Sequence, residues 1–282
     1  MVAWFDAEAR DLPWRAESRD PWAVLVSEVM LQQTPVARVV DVFQEWMTRW
    51  PTPGELAQAA PGDAVRMWGR LGYPRRALRL HAAAGAVVER FGGELPRTYE
   101  ELITLPGVGD YTTSAVLAFA HRQRIPVLDT NVRRVLNRAR QGRAFPPSAA
   151  PVRAERAALI ELLPSRGPAA ARFSEALMEL GALICTARDP RCADCPLRGE
   201  CQWLAAGRPD NQHPAARQPA FIGSDRQARG AILALLRSQD EPITQSAVDA
   251  VWADAEQRAR AQASLVADGL IRVRGALVSL PD

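Results

Sequence analysis

Apolar positions recur at helical spacing in several stretches of this chain, separated by turns rich in proline and glycine. Ser18-Arg19-Asp20-Pro21 reads as a helix start, with Asp20 as N-cap and Pro21 at the first helical position. The segment that follows, 22–32, is almost wholly apolar. Two further apolar segments, 98–105 and 111–120, flank Leu105-Pro106-Gly107-Val108-Gly109-Asp110-Tyr111, which predicts two helices joined by a tight turn. Residues 125–128 are short, extended and apolar. Val132, Val135, Leu136 and Ala139 then mark another helix, for which Asp129 is placed as N-cap. Residues 205–225 are polar and proline-rich and read as a linker. The tail predicts helices at 226–237, 245–252 and 255–268 and a hairpin of 270–273 with 276–280, together a small winged-helix module.

Composition narrows the class. A chain of 282 residues suffices for one or two domains with an ample core. No run approaches the ~18 apolar residues of a membrane-spanning helix. Residues 1–10 become charged too early for a secretory signal, so a soluble cytoplasmic protein is expected. The net charge of +3 permits an anionic partner without demanding one. All 35 basic residues are arginine, and without lysine there is no side-chain amine to form a Schiff base.

Several positions can carry chemistry. Gly107 and Gly109 allow φ > 0 and a close approach of the backbone, and the helix after them opens with free N–H groups, a seat for phosphate. The same turn also serves in a helical hairpin with no ligand. Glu28 lies one turn from Val24, Leu25 and Leu31 and shares their apolar face. A carboxylate there is either paired with an arginine or carries a raised pKa and serves as a general acid. Asp129, at the positive end of its helix, is expected to favour the ionised form. Two carboxylates in opposed environments make an acid–base pair, provided they meet in space. Gln33 and Thr34 offer groups for base edges, or are ordinary helix-end residues. In the loop 68–76, Leu71 or Tyr73 is placed to push between bases while arginines hold phosphates; the alternative is a plain surface loop. All four cysteines fall in one stretch, Cys185, Cys192, Cys195 and Cys201, spaced C-x6-C-x2-C-x5-C. Such clustering argues for metal over disulfides. Zinc sites usually pair two short C-x2-4-C units and only one is present, so the spacing suits a [4Fe–4S] cluster. Arg188, Arg191 and Arg198 lie between the ligands and add positive charge.

Taken together, Pro-Gly-Val-Gly, Asp129 about twenty residues later and the cysteine spacing resemble the endonuclease III superfamily of helix-hairpin-helix base-excision glycosylases. Within it, Ser27-Glu28-Val29-Met30-Leu31-Gln32-Gln33-Thr34, the Leu71-Gly72-Tyr73 loop and Asp129-Thr130-Asn131-Val132 resemble the adenine DNA glycosylases of MutY type, over about residues 4–205. The resemblance implies a mainly α, helix-hairpin-helix DNA glycosylase fold. It divides into a six-helix module at about 21–130, an iron–sulfur cluster module of 1–20 with 131–205, a linker at 206–225 and the winged-helix-like module at 226–282. It implies that Glu28 protonates adenine, that Asp129 stabilises or covalently traps the sugar cation, and that Asn131 and Tyr111 support them. Gln33, Thr34, Leu71 and Tyr73 would hold the opened duplex, Gly107 and Gly109 the phosphates, with Arg188 and Arg191 also facing DNA. Cys185, Cys192, Cys195 and Cys201 would bind the [4Fe–4S] cluster.

Related glycosylase/lyases carry a lysine where this chain has Tyr111, so the resemblance implies base removal without strand cleavage. The implied partner is double-stranded DNA with adenine mispaired with 8-oxoguanine or guanine, acted on by a monomer that binds no membrane. The tail departs from the best-known adenine glycosylases. It is too short for the Nudix-like domain that reads 8-oxoguanine in them, and from 226 to 282 seven arginines balance seven acids.

Overall fold

A computed structural model describes residues 1–16, 20–146, 152–209 and 220–282. Ser18, Arg19 and much of the expected linker lie outside them. The described chain is mainly helical. Its first half holds α1 (Val2–Glu8), α2 (Pro21–Leu31), α3 (Val36–Arg49), α4 (Pro53–Gln58), α5 (Pro61–Trp68) and α6 (Arg75–Phe91). Then follow α7 (Tyr99–Leu102), α8 (Asp110–Phe119), α9 (Thr130–Gln141), α10 (Val152–Leu162), α11 (Gly167–Leu183) and α12 (Gln202–Ala205). The tail holds α13 (Asp225–Arg237), β1 (Ile243–Thr244), α14 (Gln245–Asp249), α15 (Ala255–Ala267), β2 (Arg272–Arg274) and β3 (Leu277–Ser279). Among the described residues no helix is long and apolar enough to cross a membrane.

Local chemistry sets these boundaries. Asp20 caps α2 as expected: its carboxylate accepts from Trp22 N at 3.1 Å and Ala23 N at 3.2 Å. In α4, Thr52 Oγ1 accepts from Glu55 N at 3.4 Å while Glu55 Oε2 accepts from Thr52 N at 2.9 Å, a reciprocal capping box. The segment 125–128 forms neither helix nor strand. In the tail, the expected hairpin is β2 and β3, and a third strand that the pattern does not reveal, β1, completes a sheet of order β1-β3-β2. Two residues are too few to show alternation. β1 pairs antiparallel with β3 through Ile243 opposite Val278, and Val273 of β2 faces the same valine.

The chain divides into two compact units. One comprises the described residues of Met1–Val24, Arg97–Ile103 and Gly109–Ala215. Its core joins Val132 and Val135 of α9, Leu159 of α10, and Ala170, Leu177 and Leu180 of α11. The N-terminal segment is fastened to α11 by Glu179, whose side chain is 1% exposed. Arg10 donates to both its oxygens, Nε at 2.8 Å and Nη2 at 2.8 Å, and Arg15 Nη2 adds a bond at 2.9 Å. The second unit comprises the described residues of Leu25–Pro96, Thr104–Val108 and Ala216–Asp282. It centres on Trp46, which meets Trp50 and Trp68 edge-on at centroid distances of 4.7 and 5.8 Å.

Burial alone would raise the Glu179 pKa, but the two arginines outweigh it and hold the carboxylate at about 2 against an ordinary 4.5. Because the folded value is the lower one, this stabilisation is complete above pH 4.5 and is lost as pH falls toward 2. Glu179→Gln is expected to cost about 2–3 kcal/mol at neutral pH and to flatten the acid limb of stability. Denaturant titrations of both forms across that range check it; parallel acid limbs would refute it.

Candidate active site

The glycine turn leads directly into α8. Gly107 has φ +76°, and a Cβ there would stand 2.7 Å from Arg79 Cβ, so conformation and space both require glycine. Gly109 departs from expectation: with φ −105° and ψ −178° it is extended, a conformation open to any residue. Its missing side chain instead leaves open space beside the first turn of α8, whose leading N–H groups have no helical carbonyl to meet. The one acid in that turn, Asp110, is engaged by Arg156 at 2.6 Å and by the Tyr99 hydroxyl, and this hydrogen bond raises the tyrosine pKa. Tyr111 is the second residue of α8 and half-buried.

Glu28 is 6% exposed on α2, between buried Ser27 and Val29. Asp129 is the N-cap of α9, as its position predicts. One oxygen accepts from Val132 N at 2.6 Å and the other from Asn131 Nδ2 at 2.8 Å. The expected preference for the ionised form is corrected in one respect. Burial raises the Asp129 pKa, and the hydrogen bonds from Val132 and Asn131 and the charge of Arg134 only partly oppose it. Arg134 fixes the support: its Nη2 donates to Asn131 Oδ1 and to Gly181 O, each at 2.7 Å, and its Nε to Cys185 O at 2.7 Å. α11 comes this close because residue 181 is glycine. A Cβ there would lie 2.6 Å from Asn131 Cβ.

The two loops expected to meet the duplex are joined by Arg76. Its Nη1 donates to Val29 O, Met30 O and Gln32 O at 2.8, 3.0 and 2.6 Å, carbonyls at the end of α2. Its Nη2 donates to Thr34 Oγ1 at 2.9 Å and Gly72 O at 3.0 Å. Thr34 Oγ1 in turn donates to Leu71 O at 3.1 Å. Three expectations are corrected here. Leu71 is 3% exposed and belongs to the core, so it is not the wedge. Thr34 is buried and ties the two loops together. Arg76 is buried too, its pKa pushed down to about 10 by desolvation, and its donors go to protein oxygens instead of phosphate. Of the four residues expected to hold the opened duplex, the loops expose Gln33 and Tyr73, the latter 53% accessible. Both hold left-handed backbone, at φ 57° and 47°, which non-glycine residues keep only when their surroundings impose it.

The four cysteines are unpaired, half-buried, and border one small space together with Arg138 and Trp203. Among the described residues no three His, Cys, Asp or Glu side chains are grouped to hold a single metal ion. Arg138 is 2% exposed, and its partners are Cys185 Sγ at 3.4 Å, the carbonyls of Ala144, Thr186 and Ala187, and the ring of Trp203 at 4.5 Å. A guanidinium this buried, aimed at sulfur and without a carboxylate, suits a multinuclear anionic group held by thiolates. The donor set therefore fits an iron–sulfur cluster. Arg191 is exposed and reaches Asp194 at 3.8 Å; Arg188 is exposed.

Residues 26–161 match the model of the HhH-GPD superfamily of base excision DNA repair proteins. Over 272 residues the chain is 50% identical to the adenine DNA glycosylase of Mycobacterium tuberculosis, covering 96% of this chain and 88% of that one. The chain belongs to the adenine DNA glycosylase family. The Mycolicibacterium smegmatis member is 46% identical over 96% of this chain and 91% of its own. Among solved structures, a thermostable thymine-DNA glycosylase is similar at TM-score 0.65 and 26% identity, covering 73% of this chain and 93% of that one. The mainly helical helix-hairpin-helix fold is that of this family, and the chain is a base-excision enzyme.

Within the family frame, the structure brings Asp129, Asn131 and the cysteine loop together through Arg134, and Gln33 and Tyr73 through Arg76. Glu28 and Asp129 belong to different units. Arg134, Arg138 and Gly181 are absent from the sequence-based expectations as site residues, and Arg76 enters them only among the arginines expected to hold phosphate, because nothing distinguishes a buried arginine from a solvated one before its neighbours are known. The i, i+4 spacing of Arg134 and Arg138 on α9 is the one available sign that both face the same way. Arg76→Lys keeps the charge but not the fork that serves two loops, and is expected to destabilise by about 3 kcal/mol. Hydrogen exchange should quicken at amides 33–34 and 71–73; unchanged protection there would count against the linking role.

Proposed function

We propose that this adenine DNA glycosylase family member releases adenine mispaired with 8-oxoguanine or guanine in duplex DNA and stops at the abasic site. The carrying observation is Asp129, a helix-capping carboxylate with both oxygens hydrogen-bonded, in a chain with no lysine. Glu28 donates a proton to a ring nitrogen of adenine as the C1′–N9 bond breaks and its electron pair leaves with the base. Asp129 stabilises the positive sugar, or bonds to C1′ until water replaces it; water supplies the hydroxyl of the product and its remaining proton restores Glu28. General acid catalysis of this kind contributes ~10²–10⁴-fold. Asn131 fixes one Asp129 oxygen, and Tyr111, at the start of α8, flanks the sugar. The adenine must first leave the stack, at a cost of a few kcal/mol; Gln33 and Tyr73 occupy the gap, while the glycine turn and the first turn of α8 hold backbone phosphate. The enzyme acts as a monomer.

Single-turnover release from duplexes with adenine opposite 8-oxoguanine, guanine or cytosine tests the reading. Rates should fall in that order, Glu28→Gln should lose at least about a hundredfold, and no strand cleavage should precede an alkali step. Equal rates on all three duplexes, a Glu28→Gln enzyme as fast as wild type, or thymine released instead of adenine would each overturn it.

Cys185, Cys192, Cys195 and Cys201 would hold a [4Fe–4S] cluster whose contribution is to brace their loop. Arg134 carries that order to Asn131 through the Cys185 carbonyl. Purified protein should contain iron and acid-labile sulfide, and Cys192→Ser should lose both along with thermal stability. Protein free of iron and as stable as that variant would refute the assignment.

A further inference from the structure

The turn that carries Tyr73, residues 69–74, joins α5 to α6, and the C-terminal module takes hold at both of its ends. On the α5 side, Val65 O is left without its helical partner, because Gly69 N donates to Arg66 O instead. Arg237 of α13 supplies the missing donor, its Nε reaching Val65 O at 3.0 Å. Desolvation lowers the Arg237 pKa to about 10, so a long, half-buried cation closes one helix end. Two neighbouring contacts lock the same helix. Arg66 Nη2 donates to Gln239 O at 2.9 Å, and Gly62 N donates to Pro281 O at 2.7 Å. A Cβ on Gly62 would overlap that oxygen and stand 2.9 Å from Leu280 Cβ. On the α6 side, Arg75, the first helical residue after the turn, pairs with Asp268 at 3.3 Å, and Gly269 packs beside Leu78.

The module has little charge left for DNA. Arg258 and Arg260 of α15, the helix placed to enter a groove in a winged helix, bind Asp249 and Asp225 within the module. Arg229 holds Asp268, and Arg272 and Arg274 both hold Asp282. A wedge, in contrast, must resist bases that tend to restack, and Tyr73 does so from a backbone conformation that its surroundings have to impose.

We propose that the C-terminal module is an intramolecular brace that fixes the Tyr73 turn from behind, making Arg237, Gly62 and Arg75 positioning residues for base extrusion. This rests on the reading of Tyr73 as the residue that fills the opened stack. The test uses the full-length chain with Arg237→Met, Gly62→Ala and Arg75→Ala, and with Arg260→Ala as the control inside the module. Hydrogen exchange is followed at residues 69–74 in the free protein. Single-turnover adenine release is compared between a mispaired duplex and a duplex whose adenine stands unpaired in a bulge.

The brace variants should exchange faster in the turn and lose about tenfold or more on the mispaired duplex, yet stay within about twofold of wild type on the bulge, where no base pair has to open. Arg260→Ala should match wild type throughout. If Gly62→Ala does not fold, the exposed Arg75→Ala still decides the matter. The brace is overturned by unchanged exchange and duplex rates, by equal losses on both substrates, or by a loss confined to 8-oxoguanine duplexes, which would make the module a reader of the opposite base. A wild-type enzyme that releases adenine from neither substrate would instead sink the glycosylase reading on which the brace depends.

Discussion

A guanidinium withdrawn from water has five N–H donors to satisfy, and this chain meets that demand largely with backbone carbonyls. Arg76 takes the end of α2 and both exposed loops. Arg138 takes three carbonyls around the cysteine loop and Arg134 takes two beside Asn131; even Arg124, which is exposed, takes three at the end of α10. Most of these carbonyls lie where regular structure stops, beyond the reach of a full set of helical donors. The arginine-only composition, which as a sequence feature spoke chiefly about missing lysine chemistry, is in the fold a set of fasteners at the ends of helices.

That arrangement explains how irregular segments come to hold the residues of the proposed site in place. The loop holding Tyr73, the cap holding Asp129 and the stretch holding the four cysteines have no ladder of their own to stiffen them. Their order comes from side chains anchored in neighbouring helices. α9 does two such jobs at once, presenting Asp129 at its first turn and sending Arg134 and Arg138 into the cysteine loop. Any disturbance of that loop therefore reaches the carboxylate through two side chains and one carbonyl.

Much of this was legible beforehand. The caps at Asp20 and Asp129, the turn before α8, the cysteine group and the three tail helices follow from short-range rules, and the structure places each within a residue or a few of its expected position. What failed were statements about exposure. Leu71 and Tyr73 stand two residues apart in one loop, and only long-range packing decides that the first is buried while the second faces out. Gly107 and Gly109 look alike in sequence, yet one needs its left-handed backbone while the other is extended with open space around it. Asp129 sits where a helix dipole favours charge, but the surrounding protein removes more solvent than the helix end returns.

Gly181 shows how far such packing extends the catalytic constraint. It lies in the middle of no motif and carries no functional group, yet its α-carbon faces Asn131 at a distance that admits only hydrogen. The smallest change available there, a single methyl, would push on the residue that orients the aspartate. In a collection of damaging variants of this enzyme, position 181 belongs beside Asn131 itself, although it has no chemistry of its own.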